Sequence, residues 1–147
     1  MKLNTRHFGE IQIDESKIIH FNEGLLGFEK IKKYAVINNP DPEVPFCWLQ
    51  SVDKPDLAFV IANPFLFINN YEFDIPDKIV KELELKDHKE LIIYSIAVVP
   101  ESIEEMTLNL RGPIIINWEN KRAKQIVLES NKYPLKYKIF DTSKKTK

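Results

Sequence analysis

Apolar residues are concentrated between Phe46 and Phe73, in three short runs separated by turn residues. The runs 46–49 and 57–62 flank a charged turn, and the run 65–68 follows an Asn-Pro pair. Apolar runs bounded by such residues are typical of adjacent antiparallel strands. Because the run 57–62 has no polar position, we predict that it is a central strand covered on both faces.

Alternation and β-branched residues predict further strands along the rest of the chain. These are 10–13 and 17–21, which would form a hairpin, followed by 34–37, 91–99, 106–110, 114–118 and 124–128. Two short helices are predicted at 28–33 and from Ile75-Pro76-Asp77 onward, where Ile79, Val80 and Leu83 would share the buried face. The pattern Ser102-x-x-Glu105 predicts one capped helical turn.

About nine strands with no regular strand–helix alternation indicate a mainly β protein. We predict a single antiparallel β-barrel-like domain, or alternatively a sandwich, with two short helices. The domain would span 1–140, and 141–147 would form a basic, flexible C-terminal tail. With nine prolines and four glycines, the chain favours stiff connections over glycine-rich phosphate loops.

The net charge of −1 conceals an asymmetry between the two ends of the chain. Residues 120–147 carry a net charge of +7, and the remainder carries −8. An acidic body disfavours nucleic acid and favours basic partners, although the basic end could simply be solvated. No signal peptide or membrane-length apolar run is readable, and the single cysteine fits a reducing compartment, so we expect a cytoplasmic protein with no membrane partner.

The chain offers few groups for catalysis. His7, His20 and His88 lie in different predicted elements without metal-ligand spacing, and Cys47 lies in an apolar strand. The cluster of Ser51 with two nearby aspartates is explained by a turn. We therefore expect no enzyme activity, no cofactor and no metal.

Two aromatic segments are candidates for binding. The C-terminal segment interleaves aromatic and basic residues, a pattern that stacks bases in single-strand nucleic-acid binders, although the acidic body opposes it. That segment contains Tyr133, Lys136, Tyr137, Lys138 and Phe140. The other segment, 63–73, either caps the barrel core or forms a protein-docking rim with the nearby acids Glu72, Asp74 and Asp77.

Short motifs in order along nearly the whole chain resemble one family. They include Phe8-Gly9-Glu10-Ile11, Gly24-Leu25-x-Gly27-Phe28, Trp48-Leu49-Gln50-Ser51, Asn63-Pro64-Phe65-Leu66-Phe67, Met106-Thr107-x-Asn109-Leu110 and Tyr133-Pro134. In these motifs the chain resembles the flagellar assembly factor FliW family. The resemblance implies a non-enzymatic, barrel-like protein that binds flagellin in the cytoplasm. When freed, such a protein binds the RNA-binding translational regulator CsrA allosterically and relieves repression of flagellin translation.

The resemblance also implies where the regulator contacts the chain, and the aromatic loop adds further candidates. A C-terminal segment around 128–137 is expected to contact the regulator, and a loop around 69–72 is a second candidate. The regulator candidates are Asn69, Asn70, Tyr71, Glu72, Glu129, Tyr133 and Pro134. The flagellin candidates are Asn63, Phe65 and Phe67.

Overall fold

The computed structural model describes residues 1–86, 90–129 and 132–140, and within them the fold is mainly β. The strands are β1 (Lys2–Thr5), β2 (Gly9–Gln12), β3 (Ile19–Phe21), β4 (Lys33–Ile37), β5 (Phe46–Ser51), β6 (Ala58–Ala62), β7 (Leu91–Val98), β8 (Thr107–Leu108), β9 (Ile114–Asn117), β10 (Arg122–Gln125) and β11 (Tyr137–Lys138). The described residues form one α-helix, α1 (Asp77–Glu82), and three 3-10 turns, Glu15–Lys17, Pro64–Leu66 and Ile103–Glu105. The predicted tail 141–147 lies outside the described residues.

Strand β7 closes the sheet into a barrel. The ring runs β7-β6-β5-β4-β3-β10-β9 and returns to β7, because β9 pairs with both β10 and β7. The first half of β7 pairs with β9, and its far end, Ala97 and Val98, pairs with β8, which in turn pairs with β11. Closure satisfies strand edges that an open sheet would expose. The predicted antiparallel barrel is confirmed, with one parallel pairing between β3 and β10.

The predicted hairpin between 10–13 and 17–21 is wrong. Strand β2 pairs with β1, and β3 instead lies between β4 and β10 in the barrel. Strand β1 is mostly polar and buries only Leu3, so its pattern carries little strand signal. Between β2 and β3, Asp14 Oδ1 accepts a hydrogen bond from Ser16 N at 2.9 Å and caps a 3-10 turn.

The predicted helix at 28–33 is also wrong. The chain forms a tight turn there, in which Phe28 N donates to Leu25 O at 2.8 Å and Ile31 N donates to Phe28 O at 3.1 Å. Gly24 makes this turn possible. It has φ +67°, and a Cβ at this position would lie 2.6 Å from Phe28 O. Only glycine adopts this conformation at such close approach without strain.

The other local predictions differ in outcome. Helix α1 is confirmed, with Ile79 and Leu83 buried. The turn at Ile103–Glu105 is a single 3-10 turn as expected, but the Ser102 side chain accepts no capping hydrogen bond from its backbone N–H groups. The run 65–68 is not a strand, because Asn63 and Pro64 initiate a 3-10 turn that ends at Leu66.

Apolar side chains form three clusters. The first fills the barrel around Phe21, Tyr34 and Leu49, and the third lies under α1. The second lies outside the barrel around Tyr71, Leu108 and Tyr133. Strand β6 has neighbours in the ring on both sides, as expected for a central strand. Its last two residues, Ile61 and Ala62, belong to the first and second clusters respectively, so both faces are covered there.

Candidate docking surface

Tyr133 joins the two segments that were predicted to contact the regulator. Its hydroxyl donates to Asn70 O at 2.9 Å and accepts from Glu72 N at 2.8 Å. Its ring meets the Tyr71 ring edge-on, with centroids 4.7 Å apart. These bonds place the loop 69–72 beside the described part of the predicted C-terminal segment 128–137, although more than sixty residues separate Tyr133 from its partners in the chain.

Both segments are fixed to the same short stretch of backbone. The Tyr71 hydroxyl donates to Leu110 O at 2.5 Å, and Leu110 N donates to Pro134 O at 3.1 Å. Arg111 Nε donates to Tyr133 O at 3.1 Å. Glu129 is exposed and follows Leu128, whose N–H donates to Arg111 O at 2.8 Å. The seven regulator candidates thus lie within two residues of a side chain or backbone group that is bonded to residues 110–111.

An open groove of about 540 Å³ lies next to this junction; we call it the aromatic groove. The lining comes from the segment 65–75, from α1 with the residues after it, and from β7; we call these three parts the aromatic wall, the helical wall and the floor. The apolar lining residues are Phe65, Tyr71, Phe73, Ile75, Val80, Leu85, Leu91 and Ile93. Glu72, Asp74 and Lys86 add charge at the rim.

Polar contacts hold α1 in place beside the groove. Asn117 Nδ2 donates to Leu83 O at 2.8 Å at the end of the helix. Lys124 Nζ contacts the carboxylates of Glu23 and Glu82, the latter at 3.2 Å. Burial alone would lower the pKa of Lys124, but its hydrogen bonds to Glu23 and Glu82 outweigh burial and raise it. The ammonium group therefore stays charged and ties the helix to the barrel.

The three flagellin candidates have different environments. Phe65 is 44% exposed and lines the aromatic groove. Asn63 is exposed, but its Oδ1 accepts from Phe65 N at 2.9 Å and so caps the 3-10 turn. Phe67 packs against the second cluster, with its ring stacked on Phe46 at 5.7 Å. Of the three, Phe65 presents the most accessible apolar surface.

Sequence reasoning missed the helical wall and the floor of the groove. Val80 was assigned to the buried face of α1 but is half-buried, because it faces the groove. Leu91 and Ile93 were read as ordinary strand residues. Strand β7 is apolar but only partly buried, and the sequence pattern of a strand does not show how much of it is exposed.

The C-terminal aromatics do not form an exposed base-stacking platform. Tyr133 is 5% exposed, and Tyr137 and Phe140 pack against the second cluster. Lys138 pairs with Glu105 at 3.3 Å. The feature that motivated single-strand nucleic-acid binding is therefore mostly part of the folded core.

The groups considered for catalysis are dispersed. His7 lies against the Trp48 ring at 5.6 Å, His20 is exposed in β3, and His88 lies outside the described residues. Burial raises the pKa of the Cys47 thiol to about 11, while a hydrogen bond with Tyr94 opposes that rise. Within the described ranges, no three His, Cys, Asp or Glu side chains are grouped to hold a metal ion.

The helical content of the described chain is small, and none of its helices has the length and apolarity needed to span a membrane.

These features define a small closed β-barrel protein with its C-terminal segment docked on the barrel's outer side. A family model described as "FliW protein" matches residues 2–139. The flagellar assembly factor FliW of Alkaliphilus metalliredigens is 48% identical over 145 residues, covering 99% of this chain and 90% of that protein. The flagellar assembly factor FliW of Caldanaerobacter subterraneus subsp. tengcongensis is 44% identical over 144 residues, covering 98% of this chain and 96% of that protein.

A solved structure agrees with these relatives. The crystal structure of the flagellar assembly factor FliW superimposes with a TM-score of 0.89 at 33% identity, covering 96% of this chain and 98% of that chain. The chain belongs to the FliW family, as its motifs indicated.

Proposed function

We propose that this protein is a flagellar assembly factor that acts by binding proteins in the cytoplasm and catalyses no reaction. Its partners are flagellin and the RNA-binding regulator CsrA. Release of flagellin frees the protein to bind the regulator and relieve repression of flagellin translation. The observation that carries the proposal is the match to the FliW family over residues 2–139.

The geometry around Tyr133 supports one contact surface for the regulator. The C-terminal segment and the loop 69–72 were separate candidates, and Tyr133 hydrogen-bonds to the loop on both sides of Tyr71. Exposed acids on this surface, Glu72 and Glu129, suit a basic RNA-binding partner. Rim charges of this kind mainly raise the association rate and fix the orientation of the partner.

Calorimetric titration of the purified protein with purified CsrA, and separately with flagellin, tests the proposal. We expect saturable binding to each. Binding to neither partner would refute the proposal.

Point substitutions map the regulator contact better than truncation does, because Tyr133 and its neighbours pack in the second cluster. Asn69→Ala and Glu129→Lys change exposed side chains and should weaken CsrA binding. Glu15→Lys, in the exposed 3-10 turn before β3, is the matched charge-reversal control. Equal CsrA affinity in Glu129→Lys and Glu15→Lys would remove Glu129 from the contact.

A further inference from the structure

The aromatic groove leaves apolar surface uncovered. Phe65 is 44% exposed at its edge, and the side chains of Phe73, Val80 and Ile93 are half-buried around it. Its volume of about 540 Å³ lies within the ~300–1,000 Å³ typical of binding pockets. A contiguous concave apolar surface bordered by charge is characteristic of a recognition site.

The walls of the groove are already fixed in the free protein. The Asn63 cap fixes the backbone of Phe65, whose ring centroid lies 5.7 Å from that of Tyr71. Tyr71 is 3% exposed, and its hydroxyl is bonded to Leu110 O. Because these side chains need not reorganise, a ligand entering the groove would lose little affinity to ordering the protein.

Charge at the rim selects the kind of ligand. Glu72 and Asp74 are exposed and stand beside the aromatic wall, and Lys86 is at the rim near Leu85. Among the residues that line the groove, two carboxylates against one ammonium leave a net negative charge. A ligand that places an apolar side chain on the floor and a Lys or Arg beside Glu72 would match both the floor and the rim.

We propose that the aromatic groove binds a peptide segment of a protein partner in which apolar anchor residues are flanked by basic residues. The inference rests on the proposed function as a binding protein and names the chemistry that one of its partners must present. The apolar floor provides affinity, and the acidic rim fixes orientation.

The test uses a fluorescent amphipathic peptide of about 15 residues, with leucines at i, i+3, i+4 and i+7 and lysines between them. A second peptide replaces each lysine by glutamate. By fluorescence anisotropy we expect the lysine peptide to bind the full chain, with affinity falling as salt rises, and the glutamate peptide to bind much more weakly. Equal binding of the two peptides, or no binding of the lysine peptide, would overturn the proposal.

Two variants with matched controls locate the site. Phe65→Ser, and Glu72→Lys combined with Asp74→Lys, should each weaken the lysine peptide by about tenfold. Leu66→Ser changes a 63% exposed neighbour in the same 3-10 turn that does not line the groove. The control for the acidic pair is Glu101→Lys combined with Glu104→Lys, because both of these glutamates are exposed and lie outside the groove. Equal losses in variants and controls would place the peptide elsewhere.

Two further measurements separate this inference from its alternatives. A dimer in sedimentation that dissociates in Phe65→Ser would mean that the groove accepts a second copy of this chain and would overturn the proposal. If wild-type protein binds flagellin and CsrA, and Phe65→Ser and the Glu72/Asp74 double variant bind both unchanged, the groove inference fails while the proposed function stands. If wild-type protein binds neither partner but binds the lysine peptide, the proposed function fails while the groove site stands.

Discussion

Replacing Tyr133 with phenylalanine should remove the hydrogen bonds that join the loop 69–72 to the C-terminal segment without changing the packing. The ring keeps its edge-on contact with Tyr71 at 4.7 Å, but the bonds to Asn70 O and Glu72 N are lost. A hydrogen bond contributes about 0.5–1.5 kcal/mol net, so the two together contribute roughly 1–3 kcal/mol to the free energy of unfolding. We expect Tyr133→Phe to lose about 2 kcal/mol.

Urea unfolding measures this loss. With an m-value of about 1–3 kcal/mol/M, which the substitution should leave unchanged, the midpoint should fall by roughly 1 M. Tyr137→Phe is the matched control, because it removes the hydroxyl of a half-buried tyrosine in the same segment that bonds neither Asn70 nor Glu72. If Tyr133→Phe and Tyr137→Phe unfold at the same urea concentration, the hydroxyl of Tyr133 does not join the two segments.

Three further outcomes test other parts of the account. Gly24→Ala should lower the free energy of unfolding by more than about 2 kcal/mol, because the new Cβ would clash with nearby backbone as well as strain a left-handed conformation. Gly27→Ala, with φ +85° and open space around it, should lower it by only about 1 kcal/mol. Similar thermal midpoints for the two variants would contradict this. Gln50→Leu should lower the free energy of unfolding in urea by at least about 2 kcal/mol. The buried amide of Gln50 accepts a hydrogen bond from Arg6 N at 3.0 Å and donates to Pro55 O at 3.0 Å and Leu57 O at 3.1 Å. A loss below about 0.5 kcal/mol would contradict this prediction. The pKa of the Cys47 thiol is raised from 9.0 to about 11, so its rate of reaction with iodoacetamide should keep rising beyond pH 9.0. Because the thiol of the unfolded chain loses its proton at lower pH, the free energy of unfolding should fall as pH rises between those two values. A reaction rate that levels off near pH 9.0 would contradict this.

Most barrel strands could be predicted because their signal is local. Strands β5, β6, β7 and β9 are apolar or β-branched runs bounded by turn residues. Helix α1 was equally readable from its proline, its acidic first turn and its apolar face. In each case the buried residues lie close together in the chain, so periodicity alone predicts the element.

The errors occur where distant contacts override local pattern. Strand β3 pairs with β10, about a hundred residues away, rather than with the nearby β2. Gln125 Oε1 accepts from Leu26 N at 3.0 Å across a similar separation, which helps to hold the predicted helix at 28–33 as a turn instead. The Asn-Pro pair before Phe65 forms a 3-10 cap, because the Asn63 side chain satisfies the Phe65 N–H locally.

The residues of the candidate site could be predicted from the sequence, but their contacts with one another could not. Tyr71, Glu72 and Tyr133 were predicted as candidates in two separate segments. Their contact depends on one hydroxyl between segments more than sixty residues apart. The aromatic groove forms because α1 and β7 face the same space, and the sequence of neither element predicts this.

We propose above that this chain exchanges one protein partner, flagellin, for another, CsrA. The most direct test of this exchange adds unlabelled flagellin to a preformed complex of this protein with fluorescently labelled CsrA and follows the anisotropy of the label. The account predicts that the anisotropy falls to the value of free CsrA as flagellin saturates the protein. An anisotropy that stays at the value of the complex while flagellin also binds would contradict the account.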